Sequence, residues 1–387
     1  MDPIAHSLVG ASLSETPLKR LSVLASPTLV LAANAPDIDI VSAFVGRDLS
    51  LQFRRGWTHG VLAMAILPLL LAGLILLVDR CIASIRHRPP KARFGPTLAL
   101  SYIGVWTHPI LDWLNTYGVR LLMPFDGRWF YGDALFIIDP WVWLLAGAVV
   151  VLANTKSAIS QTTWLIFGIA TTALVTGISV VPATARWTWI AGIAVIVGLR
   201  ISDQVHTQLP RVATACLTCI AVYAGSMAVG SHLATRQVSQ WLSDRGSAGS
   251  VVMAGPLPAN PFVRDVIILD ESHYHFLELN WLRSDPFQIT GPAIPRGPNT
   301  PIINAALKAP SIKGLMTWIR FPAYSVDAVA DGSLAEEVQR WRRGRPPDAY
   351  ARTHTPLLRP AAEAARSMIC RVPTTPPRRD GCAQAQT

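Results

Sequence analysis

Apolar positions along this chain gather into blocks. "VLAMAILPLLLAGLILLV" (61–78) and "WVWLLAGAVVVLA" (141–153) are long enough, or nearly so, to cross a bilayer. "TTWLIFGIATTALVTGISVV" (162–181) and "VATACLTCIAVYAGSMAVG" (212–230) follow, and "WTWIAGIAVIVGL" (187–199) can span with its flanks. With a return over about 95–113, and the 141–153 block taken back to about 134, the pattern predicts several helical spans. A short helical hairpin, roughly 3–15 and 20–35, precedes them and turns at Lys19 and Arg20.

Beyond about residue 232 the blocks stop. "FVRDVIILD" (262–270), "YHFLELNWL" (274–282) and "LMTWIRFPAYSV" (315–326) set β-branched and aromatic residues between Pro and Gly breaks, a strand pattern. The expected fold is mainly α: a polytopic membrane helical bundle with a short N-terminal hairpin, plus a small C-terminal β-rich extramembrane domain. The expected divisions are 1–231 in the membrane, 232–343 β-rich and extracytoplasmic, and 344–387 an Arg/Pro-rich disordered tail.

Composition supports a membrane chain. Hydrophobic residues are 51% of the 387 and charged ones 15%, too apolar for a soluble globular protein of this length. The net charge of +10 suggests nucleic acid in a soluble protein. Here much of it lies in short loops between apolar blocks, so no nucleic-acid partner is expected. "DRCIASIRHRPPKARF" (79–94) is the most basic loop and is assigned to the cytoplasm by the positive-inside rule. That choice puts Lys19, Arg20, Lys156, Arg200 and Arg211 on the same side, with Arg54 and Arg55 mildly opposed. The β-rich region then faces outward from the cytoplasmic membrane. "MDPIAHSLVG" lacks the basic start and apolar core of a secretory signal, so insertion is expected to rely on the spans themselves.

Ionisable residues in or beside spans are rare and mark function by default. His6 lies in the first short helix, Asp37 and Asp39 ("NAPDIDIV") close the second, and His59 ("RGWTHG") precedes span 61–78. His108 and Asp112 ("WTHPILDWLNTYG") are spaced i, i+4 at the end of the next span and share one helix face. On the charge-derived topology all six fall at one depth, although the topology was built without them. Singly each has a plain role: a helix cap for the aspartates, an interfacial position for His59 beside Trp57, a structural hydrogen bond for His108 with Asp112. Together they point to metal. Imidazole plus carboxylate suits zinc, manganese or iron; six candidate ligands are more than one zinc normally takes and suit two ions bridged by Asp37 or Asp39.

At these residues the sequence resembles the YdjM/YbcI type of bacterial inner-membrane metal-dependent hydrolases. "MDPIAHSLVG", "APDIDIV", "RGWTHG", "HPILDWLNTYGVRLLMPF" and "LFIIDP" carry the resemblance over about the first 145 residues, and "PLPANPFVRDVIILD" extends it more loosely. It implies His6, Asp37, Asp39, His59, His108 and Asp112 as metal residues. That family is similar, more remotely, to the zinc-dependent phospholipase C and P1 nuclease group of all-helical phosphodiesterases. The implied chemistry is phosphoester hydrolysis, and the implied substrate in a membrane setting is a phospholipid or lipid-linked phosphate.

Other polar residues divide between supporting and structural roles. Arg120, Arg128, Tyr117 and Asn115 can hold a phosphate or sit among lipid headgroups. Asp133 and Asp139 are candidates for orienting a ligand, with an N-cap as the alternative for Asp139 before Pro140. Arg55 is assigned first to headgroups. Cys216 and Cys219 read as small packing residues in a span, His273 and His275 as a strand edge or turn. Cys370 and Cys382, in an oxidising compartment if the tail lies outside, are candidates for a disulfide that closes a short C-terminal loop.

The function expected is therefore a membrane-bound metal-dependent hydrolase of a phosphoester at the outer face, with Asp39 or Asp37 positioning the attacking water. Its alternatives are a divalent-cation transporter and a structural envelope protein with a metal site.

Overall fold

The computed structural model describes residues 1–202, 206–247, 249–297, 300–308, 312–325 and 369–371. The expected tail (344–387) lies almost wholly outside these residues, as does the expected Cys370–Cys382 pairing.

Helix α1 (Pro3–Ser14) begins at an Asp2 cap whose carboxylate accepts from Ala5 N. The other Asp2 oxygen accepts from Trp143 Nε1 at 3.1 Å, which pins the start of α1 to α6 (Pro140–Asn154). α2 (Ala25–Asn34) lies between α1 and α5 (Phe94–Trp113). Two glycines allow that sandwich. A Cβ on Gly10 would stand 2.8 Å from the Leu29 carbonyl oxygen, and one on Gly104 would stand 2.4 Å from Ala32 Cβ. Small residues let helix backbones approach this closely.

After α2 the chain runs as a 3₁₀ helix over Ala35–Phe44, then forms α3 (Arg47–Phe53) and the tight turn that leads into α4 (Val61–Ile85). α7 (Ala158–Gly177), α8 (Ala183–Ser202) and α9 (Leu209–Ser243) complete the helical part. Among the described residues four helices are long and apolar enough to cross a membrane: α4, α7, α8 and α9. α6, at 15 residues, is shorter.

Three segments differ from the pattern-based expectation. Residues 79–85 of the expected basic loop belong to α4. The loop folds back so that Arg88 Nη2 (2.9 Å) and the backbone N–H groups of Lys91 (2.5 Å) and Ala92 (2.7 Å) donate to the Asp79 carboxylate. The helix expected from 134 starts at Pro140, because Ala134 N and Leu135 N both donate to the Leu114 carbonyl and Asp139 caps the helix. α9 continues past the expected end at 231. Its last turns are amphipathic, with Ser231, Ala234, Val238 and Leu242 buried at helical spacing, and the last three join a core with the sheet. At about 1.5 Å per residue α9 is roughly 50 Å long, well beyond the roughly 30 Å hydrocarbon layer.

The sheet is antiparallel, β1 (Val251–Leu257), β2 (Asn260–Leu269), β3 (His273–Asn280) and β4 (Phe287–Ile289) in sequential order, with β5 (Ile294–Pro295) also on β3. β2 and β3 match expected strands. The expected strand from 315 is instead helix α11 (Lys313–Trp318), following α10 (Pro301–Leu307), and only β6 (Ala323–Ser325) is extended there; β6 pairs with residues 369–371.

Candidate metal centre

Four elements converge beyond the α1–α2–α5 sandwich. His108 lies one turn after Gly104, so the close approach of α5 to α2 brings its ring to the end of α2. There its Nδ1 donates to the Ala33 carbonyl oxygen at 2.6 Å. A carbonyl only accepts, so Nδ1 carries a proton and Nε2 points the other way. His59, in the turn before α4, has Nδ1 3.0 Å from Thr58 Oγ1, which leaves its Nε2 facing the same space.

Between the two imidazoles lies Asp112. Its Oδ1 is occupied by the Met1 amine, by Arg55 Nη2 (3.1 Å) and by His6 Nε2 (3.3 Å). Its Oδ2 has no hydrogen-bond partner and stands 3.3 Å from His59 Nε2 and 3.5 Å from His108 Nε2. Asp37, carried by the 3₁₀ helix, adds Oδ1 at 3.5 Å from His108 Nε2 and 3.9 Å from His59 Nε2. One donor atom from each of Asp37, His59, His108 and Asp112 lies within 4.8 Å of the other three.

These atoms fit a divalent cation. Buried polar groups without partners are costly, yet His59 Nε2, His108 Nε2 and Asp112 Oδ2 are all buried and unpartnered, and all face one space. With metal–ligand bonds of about 2.0–2.1 Å, tetrahedral neighbours are separated by about 3.3 Å, close to the spacing here. The two histidines and Asp112 are sealed from solvent; Asp37, 29% exposed at its side chain, marks the open side.

His6 and Asp39 border this group without joining its four donors. His6 stacks on His108 with ring centroids 3.7 Å apart and reaches the already occupied oxygen of Asp112. Asp39 is buried; its Oδ2 accepts from Arg55 N at 2.9 Å and lies 3.6 Å from His59 Nδ1, while Oδ1 has no partner.

The supporting residues have structural partners. Asn115 Oδ1 accepts from Arg55 Nη1 and from Tyr117 N, and the Tyr117 ring lies 5.3 Å from the Arg55 guanidinium. Arg120 is buried and donates to the carbonyls of Gln52 and Arg54. Arg128 pairs with Asp126 at the surface. Asp133 takes a bidentate contact from Arg320, at 2.7 and 2.9 Å. Asp139 caps α6 through Trp141 N and Val142 N, and its second oxygen accepts from Tyr223 on α9.

Arg55 corrects the expectation of a headgroup contact, because it is buried and ion-paired with Asp112. Its neighbours Arg54 and Gly56 offered no sequence signal of this; only its positive φ of 50° shows how the turn sends its side chain inward. Away from the centre, His275 Nε2 sits 2.6 Å from Asp270, and this bond, with the N–H groups of Ser272 and His273, holds the Asp270 carboxyl well below its ordinary range. His273 and His275 thus lie at the start of strand β3, next to the turn at Asp270. Cys216 and Cys219 are free thiols.

Fold and site together define a helical membrane protein with a buried His/Asp group able to hold a metal ion. Residues 1–185, just under half of the chain, match the family described as YdjM inner membrane protein. The match spans α1 to α7 and all four donors. No curated protein and no solved structure matches the chain.

Proposed function

We propose that this protein is a membrane-bound metal-dependent hydrolase that cleaves a phosphoester, of a phospholipid or a lipid-linked phosphate, at the outer face of the cytoplasmic membrane. The observation that carries the reading is the set of donors left unpartnered around one space, with Asp37 on the open side.

His59 and His108 would hold the ion through Nε2, Asp112 through Oδ2 and Asp37 through Oδ1. Bound there, a divalent cation supplies Lewis acidity toward a phosphoryl oxygen and acidifies a water. The chain does the rest. Ala33 and Thr58 hold the imidazoles in the ligating orientation. Arg55 and His6 engage one oxygen of Asp112 and leave the other directed at the centre. We assign the proton from water to Asp39, which is buried with its Oδ2 3.6 Å from His59 Nδ1 and its Oδ1 unpartnered.

Elemental analysis of detergent-purified protein tests this, with wild type beside Asp37→Asn and His108→Ala. Near-stoichiometric metal, lost in both folded variants, followed by metal-dependent turnover in a screen of phosphodiesters and phosphomonoesters, is the expected result. A well-folded wild type that takes up no added divalent metal overturns the reading. The orientation has its own check: a single cysteine at His87 in the basic loop should react with an impermeant maleimide only from the cytoplasmic side.

A further inference from the structure

The 3₁₀ helix over Ala35–Phe44 does more than carry Asp37. Three residues per turn stack positions i and i+3 on one edge. One edge, Pro36, Asp39 and Ser42, faces the protein; Pro36 and Asp39 are buried and Ser42 half-buried. The opposite edge, Ile38, Val41 and Phe44, faces out at 59%, 55% and 92% exposure. A run of bulky apolar side chains turned outward from a short non-spanning element is not a water-facing surface.

What covers it follows from its neighbours. The element packs against α4 and α5, and α4 is apolar enough to span, with Val61, Leu62, Ile66, Leu69 and Leu70 exposed along it. Trp57, half-exposed and stacked on Phe53 at 6.0 Å, precedes that helix in the manner of an interfacial anchor. Arg47 and Arg54, exposed at the two ends of α3, add positive charge beside the apolar edge, the combination by which interfacial helices engage anionic lipid.

We propose that the Ile38–Val41–Phe44 edge is immersed at the acyl–headgroup boundary of a phospholipid bilayer, so that the open side of the metal centre, beside Asp37, meets lipid headgroups directly. The identity of the substrate as a lipid-borne phosphoester rests on the function proposed above; the immersion does not. Asp37 directly precedes the first outward residue, so the same short element sets both the ligand and the depth at which the centre opens.

The test measures depth without metal or turnover. The full chain, with its five cysteines replaced, carries a single cysteine in place of Phe44, labelled with an environment-sensitive fluorophore and placed in nanodiscs of phosphatidylethanolamine and phosphatidylglycerol. Leu70→Cys on α4 serves as the lipid control and Arg245→Cys, beyond α9, as the aqueous control. Quenching by spin-labelled lipid comparable to Leu70→Cys, with protection from iodide, is expected. Quenching by iodide like Arg245→Cys overturns the proposal. So does protection from both quenchers, which would mean that protein, such as a second copy of the chain, covers the edge. If the probe reads immersion while the purified protein takes up no metal, the surface stands and the hydrolase reading falls.

Discussion

Arg55 and Asp112 form a buried ion pair, 3.1 Å between Nη2 and Oδ1, that divides the carboxylate into an occupied oxygen and a free one. Removing one partner of a buried pair strands the other charge, which costs about 3–5 kcal/mol. The Met1 amine still contacts Asp112 Oδ1, so Arg55→Met should destabilise the metal-free protein by less than that, about 1–3 kcal/mol. The loss should be smaller when metal is bound, since the cation then neutralises Asp112. Thermal unfolding with and without chelator separates the two; equal losses in both states would argue against a shared charge balance.

Thr58 is the partner of His59 Nδ1. Outer partners of metal-binding histidines typically contribute about 10–100-fold in affinity, so Thr58→Ala should weaken metal binding by about tenfold and leave the fold intact. Competition with a chromogenic chelator reads this directly. Unchanged affinity would mean that the ring is oriented by its packing alone.

Gly104 lies against Ala32, where a Cβ would stand 2.4 Å from the Ala32 Cβ. Gly104→Val should push α5 off α2, at about 1–3 kcal/mol for overpacking, and carry His108 away from Ala33. The expected result is a lowered unfolding temperature together with reduced metal stoichiometry in the fraction that folds. Full stoichiometry at full stability would show that the helices can separate without moving the site.

Arg320 joins the segment after α11 to Asp133, and Trp129 Nε1 donates to the Thr317 carbonyl at 2.8 Å beside it. Arg320→Ala removes two charge-assisted hydrogen bonds that, for partly buried groups, contribute about 1.5–3 kcal/mol. Hydrogen exchange should rise across 312–325 and across 129–133, with little change in the β1–β3 sheet. Exchange confined to 312–325 would mean that the loop holds its shape unaided.

Much of the architecture was readable in the chain because hydrophobic blocks and strand patterns are local. The blocks behind α4, α7, α8 and α9 each announce a helix without reference to the rest of the molecule, and the β-branched and aromatic runs behind β2 and β3 announce strands. The misplacements fell where a distant partner decides. α9 runs on because a sheet covers its last turns; residues 313–318 are helical while docked against α3. The residues around the centre were legible for a related reason: histidine and aspartate beside apolar segments are expensive enough to stand out.

By itself, then, the sequence determined that this is a helical membrane chain and that a small set of His and Asp residues lies at the ends of its apolar segments. Tertiary structure decided which of them meet. The approach of three helices at Gly10 and Gly104, and the turn that directs Arg55 inward, leave Asp37, His59, His108 and one oxygen of Asp112 facing a common space. His6 and Asp39 hold the flanks. Which atoms of a polar cluster remain unpartnered depends on every neighbour around it, and those neighbours come together only when the chain is folded.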